Sequence, residues 1–264
     1  MGPLDTFAPG LFAGQTVVVT GGGRGIGRAT ALGFAALGAD VVIASRTEAE
    51  LDETATDVRA LGVSCTPVVT NIRDLDAVDR LRDATGDRVD VLVNNAGGQF
   101  LAAPLDISDN GWRSVVDLNL NGTWNVCSRF MPAMVERGSG RIVNVVHAFV
   151  GERGSPLFVH SGAARAGVVN MTRSLAPHLE QHGVTVNAVA PGTTVHERAA
   201  ANYGWTEQEW RDMHPKNRCL DPDDVAAAIV FLASPAGRMC NGTILSIDAA
   251  FSQVNWTILD DVLP

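Results

Sequence analysis

The 264-residue sequence sets a glycine cluster, Thr20-Gly21-Gly22-Gly23-Arg24-Gly25-Ile26-Gly27, at the end of an apolar run. Glycines between a strand and a helix let the backbone turn tightly and approach a pyrophosphate. The helix N-terminus then offers N–H donors and the positive end of its dipole. The flanking residues supply the strand and the helix that such a turn requires. At the end of the next apolar run the chain reads Ala44-Ser45-Arg46, where readers of NAD place a carboxylate for the ribose 2′-hydroxyl; the nearest acid is Glu48. Arg24 and Arg46 could instead clamp a 2′-phosphate with no carboxylate opposing it, so NADPH is the expected cofactor.

The inventory of proton donors is narrow. One tyrosine, Tyr203, and one lysine, Lys216, stand against nineteen arginines. A mechanism that needs a phenol or an amine has only those two. His147 follows an apolar run and suits either a pocket acid or a structural strand end. His160 is packed or exposed beside Ser161. The cysteines (Cys65, Cys127, Cys219, Cys240) have no ligand-like spacing and read as reduced, mostly core residues; no metal site is expected.

These residues need a scaffold, and the hydropathy pattern describes one. Strands are expected over 16–20, 40–44, 64–68, 89–93, 141–146, 184–189 and 243–247, with helical patterns over 27–37, 48–61, 112–137 and 161–182. Runs apolar throughout, alternating with helices, imply an α/β fold: one doubly wound Rossmann domain over 1–264, about seven parallel strands with helices on both faces. The long irregular stretch 191–221 holds Tyr203, Trp205 and Trp210. A connection of that length suggests a substrate lid, placed at about 193–218, with Arg198, Arg211, Lys216 and Arg218 as partners for carrier phosphates.

Composition closes off other classes. With 46% hydrophobic and 19% charged residues the chain is globular in type, and its net charge of −9 argues against tracking nucleic-acid phosphates. No apolar run reaches the ~18 residues of a membrane span. The start, MGPLDTFAPG, lacks a secretory pattern and the end, Asp261-Val262-Leu263-Pro264, lacks a peroxisomal address, so a cytoplasmic location is expected.

Together, the glycine spacing from Thr20 to Gly27, Asn94-Asn95-Ala96-Gly97, Asn119 and Pro191-Gly192 resemble the short-chain dehydrogenase/reductase family over nearly the whole chain. The resemblance implies that Gly21, Gly23, Gly25, Ile26, Gly27, Ser45, Asn71, Ile72, Asn95, Ala96, Gly97, Pro191, Gly192 and Thr193 hold a nicotinamide cofactor. In that family Asn71-Ile72 would line the adenine and Thr193 would meet the nicotinamide carboxamide. The family's chemistry rests on Asn, Ser, Tyr and Lys. Here Asn119 keeps the asparagine, while alignment on Ala166-Gly167 puts Ser161 at the tyrosine position and Arg165 at the lysine position. The family serine falls on His147, or on Ala148 when counted back from Ser161. Arg165 keeps the charge and the ribose contacts but does not relay protons. Ser161 donates hydrogen bonds but is a poor general acid, or it caps its helix. Ser161, Asn119 and His147 would thus suit an oxyanion hole for an enolate better than protonation of an alkoxide.

A narrower resemblance runs the same way. The stretch Val159-His160-Ser161-Gly162-Ala163-Ala164-Arg165-Ala166-Gly167, with Gly98-Gln99-Phe100-Leu101 and Asn202-Tyr203-Gly204, is similar to the peroxisomal trans-2-enoyl-CoA reductases in the branch of the 2,4-dienoyl-CoA reductases. It implies an acyl thioester substrate met by Gln99, Phe100 and Tyr203. It also implies NADPH, and from the wider family a homotetramer built on the helices at 112–137 and 161–182. The family's Asp-Gly-Gly near the end reads Asp248-Ala249-Ala250 here. Two other readings stand beside enoyl-thioester reduction. One is a ketoreductase using His147 or Tyr203 as acid; the other is an NADP(H)-binding protein with a non-redox role.

Overall fold

Each of the seven apolar runs becomes a strand: β1 (Thr16–Thr20), β2 (Asp40–Ser45), β3 (Cys65–Val69), β4 (Val91–Asn94), β5 (Gly140–Val145), β6 (Val184–Pro191) and β7 (Ile244–Ile247). All pair in parallel, in the order β3-β2-β1-β4-β5-β6-β7. The computed structural model describes residues 2–86, 88–148, 154, 156–195, 206–212, 219–250 and 252. Thr20 lies opposite Ala44 on one side and Asn94 on the other, so β1, β2 and β4 end level with one another. Strand order reverses between β1 and β4, and the helices leaving their carboxyl ends part there to open a crevice.

Helices α1 (Gly25–Ala36), α2 (Glu48–Ala60), α3 (Leu75–Ala84), α4 (Asp109–Val116), α5 (Gly122–Arg137), α6 (Val159–Glu180), α7 (Glu207–Asp212) and α8 (Pro222–Ala233) complete the described elements. Alternation along the strands divides the core between the two faces of the sheet. Val17, Val19 and Ile43 pack with Phe34 of α1 and Ile229 of α8. Val18 and Leu92 pack with Phe130 of α5 and Leu179 of α6. Among the described residues no helix is long and apolar enough to cross a membrane.

Four local differences from the sequence reading have physical causes. Helices α3 and α8 lie outside the helical patterns of the sequence although both carry start signals: the Asp74 carboxylate accepts from the Asp76 and Ala77 amides, and Asp221-Pro222 opens α8 with a capping box. The stretch expected as one helix over 112–137 starts earlier, capped by Ser108, and is interrupted by a π-helical turn at Asp117–Asn121. Asn119 lies in that turn and its Nδ2 donates to the Val115 carbonyl at 2.8 Å. The strand expected at 89–93 runs from Val91 to Asn94, whose buried amide donates to Asn144 Oδ1 at 2.9 Å.

The segment expected as a lid has joined stems: Thr194 and Leu220 form a β-bridge, with Val195 N donating to Leu220 O and Leu220 N to Thr193 O. Tyr203, Trp205, Arg198, Lys216 and Arg218 lie outside the described residues, as does the side chain of Trp210. Beyond β7, Ala249 (φ 50°) and Ala250 (φ 68°) both adopt the left-handed conformation where the family pattern has glycines. The Asp248 carboxylate holds them there, accepting from Ala250 N at 3.1 Å and Ser252 N at 2.8 Å.

Candidate active site

The crevice between the β1 and β4 ends is a cleft of about 270 Å³, running from Ser45, Arg46 and Thr47 past the glycine turn to Gly97, Gln99 and Leu118. Its floor depends on missing side chains. A Cβ on Gly27 would collide with the Gly21 carbonyl, and one on Gly21 would lie 2.7 Å from Asn95 Nδ2. That amide nitrogen donates to Thr20 O at 3.0 Å and Gly21 O at 3.3 Å, while the Asn95 and Ala96 amides both reach Thr20 Oγ1. Asn95 thereby fixes the turn, whose Gly21 and Gly22 amides donate to the Ala44 carbonyl at the end of β2. A glycine cradle at a helix N-terminus, in a crevice at the strand-order switch, fits a dinucleotide. The adenine end is in place too, with Asn71 and Ile72 lining the cleft.

One part of the cofactor expectation needs correction. Arg46 is exposed, with no hydrogen bond or ion pair among the described residues, as a phosphate reader would be. Arg24, however, lies 3.8 Å from the carboxylate of Glu50, which also lines the cleft. A carboxylate therefore does line the cleft beside the two arginines. The strand end itself carries no acid; this one enters from the first turn of α2, three residues into the helix.

Arg165 and Ser161 both face inward from α6. Arg165 is buried and donates through Nη1 to the Val145 carbonyl at the end of β5. Its Nη2 occupies the space that a Cβ on Gly97 would need, so Gly97 must be glycine for the guanidinium to reach its place. Burial pulls its pKa down to about 10, which still leaves it charged at neutral pH. Ser161 is buried and donates to Gln99 Oε1 at 2.6 Å. The helix begins at Val159, and among the described residues the Ser161 hydroxyl caps nothing; it turns instead to Gln99, which lines the cleft.

His147 and Asn119 are near these groups but not as acid and donor. Burial, reinforced by the Arg165 charge, pushes the His147 pKa down to about 3, so the imidazole is neutral at ordinary pH and cannot serve there as a cationic acid. Asn119 Nδ2 donates to the Gly98 carbonyl at 2.7 Å and to Val115 O at 2.8 Å, and Oδ1 accepts from Gly98 N at 3.2 Å. Both amide hydrogens are committed, so Asn119 orients the Gly98 backbone rather than offering a donor to substrate. His160 is fully buried, accepting from the Ser161 amide at Nδ1 and standing edge-on to Phe100 with ring centroids 4.4 Å apart. Phe100 is itself part-exposed at the rim, while Tyr203 falls outside the described residues. Pro191 ends β6, and neither it nor Gly192 nor Thr193 lines the main cleft; Gly192 donates to Ile247 O and lies against Asp248, whose Cβ would be 2.8 Å from a Cβ on Gly192.

Fold and cleft together define a nicotinamide-nucleotide oxidoreductase. A family profile described as Enoyl-(Acyl carrier protein) reductase matches residues 21–252. The chain belongs to the short-chain dehydrogenase/reductase family. It is 34% identical to the peroxisomal 2,4-dienoyl-CoA reductase of Danio rerio, over 92% of this chain and 83% of that protein. It is 36% identical to a 3-oxoacyl-[acyl-carrier-protein] reductase of Synechocystis, over 89% of this chain and 95% of that one. Among solved structures, the citronellol catabolism dehydrogenase of Pseudomonas aeruginosa superposes with a TM-score of 0.83 at 41% identity, covering 94% of this chain and 99% of that chain.

Proposed function

We propose that this chain is an NADPH-dependent reductase of enoyl thioesters. The observation that carries the reading is the 2.6 Å hydrogen bond from Ser161 to Gln99 at the inner end of the cleft. Reduction of a ketone forms an alkoxide that an acid must protonate. The tyrosine position offers only a serine hydroxyl, and His147 is neutral. Reduction of a conjugated double bond gathers charge on the thioester oxygen instead, and that oxygen needs hydrogen-bond donors. Ser161 supplies one when its hydroxyl turns from Gln99 Oε1 to the thioester oxygen, and water protonates the α carbon. NADPH, when bound, supplies the hydride. Arg165 holds the ribose hydroxyls and keeps positive potential beside Gly97, and Thr193 meets the carboxamide.

Arg46 and Arg24 favour the 2′-phosphate, and Phe100 rims the acyl entrance. The kinship with the Danio rerio dienoyl-CoA reductase supports this substrate class. Trp112 and Trp124, exposed on α4 and α5, support the homotetramer expected through the helices at 112–137 and 161–182. The test follows NADPH absorbance with crotonyl-CoA, a 2,4-dienoyl-CoA and a β-ketoacyl thioester. Oxidation with an enoyl or dienoyl substrate is expected. Turnover of the β-ketoacyl thioester alone would replace this reading with the ketoreductase that the Synechocystis relative is named for.

A further inference from the structure

We infer that Glu50 is a specificity-determining residue of the cofactor site, a carboxylate that competes with the 2′-phosphate for Arg24. The inference rests on the NADPH reading and refines it. Arg24 lies in the turn between β1 and α1, and Glu50 in the first turn of α2; the carboxylate and guanidinium oxygens and nitrogens approach to 3.8 Å across the mouth of the cleft. Both residues line that cleft beside Ser45 and Arg46. Glu50 cannot swing far away at its base. A Cβ placed on Gly23 would lie 3.0 Å from Glu50 Cβ and 3.3 Å from Ser45 Oγ, so the stem is packed against the glycine turn where the adenosine ribose must lie.

The charge count at that ribose follows. Arg46 is uncommitted and Arg24 is shared, so two cations face a phosphate of roughly two negative charges with one carboxylate among them. To bind NADPH, Arg24 turns from Glu50 toward the phosphate, and the carboxylate stays close and repels it. To bind NADH, Glu50 accepts from the ribose 2′-hydroxyl, the role that an acid at the strand end has elsewhere. Glu50 thus holds the preference for NADPH below what two arginines alone would give, and it keeps NADH admissible.

A purely structural role has its own counterpart in the same pair of helices. Arg28 and Asp57 join α1 to α2 one turn further along α1 and two along α2, and neither lines the cleft. If Arg24 and Glu50 only fasten the helices, breaking either pair should affect both cofactors alike.

The test titrates NADPH and NADH into wild type, Glu50→Gln and Asp57→Asn, reading both dissociation constants by nucleotide fluorescence. Removing one carboxylate charge roughly 6 Å from a phosphate in a half-open cleft is worth on the order of tenfold in binding. Glu50→Gln should therefore raise the NADPH-over-NADH preference by about tenfold, with tighter NADPH and weaker NADH, whereas Asp57→Asn should leave the preference unchanged. A preference in Glu50→Gln within twofold of wild type, or an equal shift in Asp57→Asn, overturns the inference. A wild type that binds NADH more tightly than NADPH overturns the NADPH reading itself, whichever way the variant moves.

Discussion

Acidification should destabilise this protein through His147, by an amount the structure allows to be worked out. In the unfolded chain its imidazole takes up a proton near the usual pH of 6.5, while the folded protein refuses it until about 3. The cause is burial at the end of β5, with the Arg165 guanidinium adding to it. Between those values the unfolded state binds more protons than the folded one, so the stability present above pH 6.5 is lost as pH falls toward 3. Each pH unit inside the window is worth about 1.4 kcal/mol. From pH 7.5 to 4.5 the full loss comes to about 2.5 kcal/mol, and nearer 2 kcal/mol because the side chain keeps some contact with solvent. Urea unfolding of wild type and His147→Ser, followed by circular dichroism at both pH values, isolates this contribution. The His160 pKa is also lowered, mainly by burial, but that residue is present in both proteins and cancels. The wild type should lose about 2 kcal/mol more than the variant between the two pH values. Equal losses in the two proteins would refute the account of His147 as a buried neutral imidazole.

Other outcomes follow from the same geometry. Ser161→Ala should lower the turnover number by roughly 10²–10³ while leaving the NADPH dissociation constant near wild type, since the lost group is a donor to substrate and not to cofactor; stopped-flow fluorescence and steady-state rates check both halves. Arg165→Lys should keep part of the cofactor affinity and part of the rate, and Arg165→Ala should damage both, because the lysine retains the charge but not the planar fork that reaches the Val145 carbonyl. Replacing Ala249 and Ala250 together by glycine should raise thermal stability by about 1 kcal/mol, since both hold left-handed backbone. Ala227→Gly, inside α8, should lower it by a similar ~1 kcal/mol, which gives calorimetry a control of opposite sign.

Much of the architecture was legible because it depends on short-range pattern. Seven apolar runs with helical stretches between them specify strands, their parallel pairing and a sheet covered on both faces, and the glycine turn after β1 marks where the crevice must open. Periodicity served least where signals were brief: α3 and α8 needed their capping residues, and the π turn at Asp117–Asn121 has no hydrophobic period to reveal it. At the site, the replacement of tyrosine and lysine by Ser161 and Arg165 is a fact of the sequence alone, and it already turns the chemistry away from proton relay. The state of those side chains is not. Ser161 meets Gln99 across 62 positions, Arg165 reaches Val145 across 20, and Asn119 spends its amide on Gly98. Glu50 lines the cleft beside Arg24 although it stands two positions beyond Glu48, because a helical turn and not sequence distance decides which side chain faces the cleft. Residue identity fixes which protons and charges this protein owns. Burial and the partners brought together by folding decide which of them are used, since the cost of desolvating a group and the reach of a hydrogen bond exist only in three dimensions.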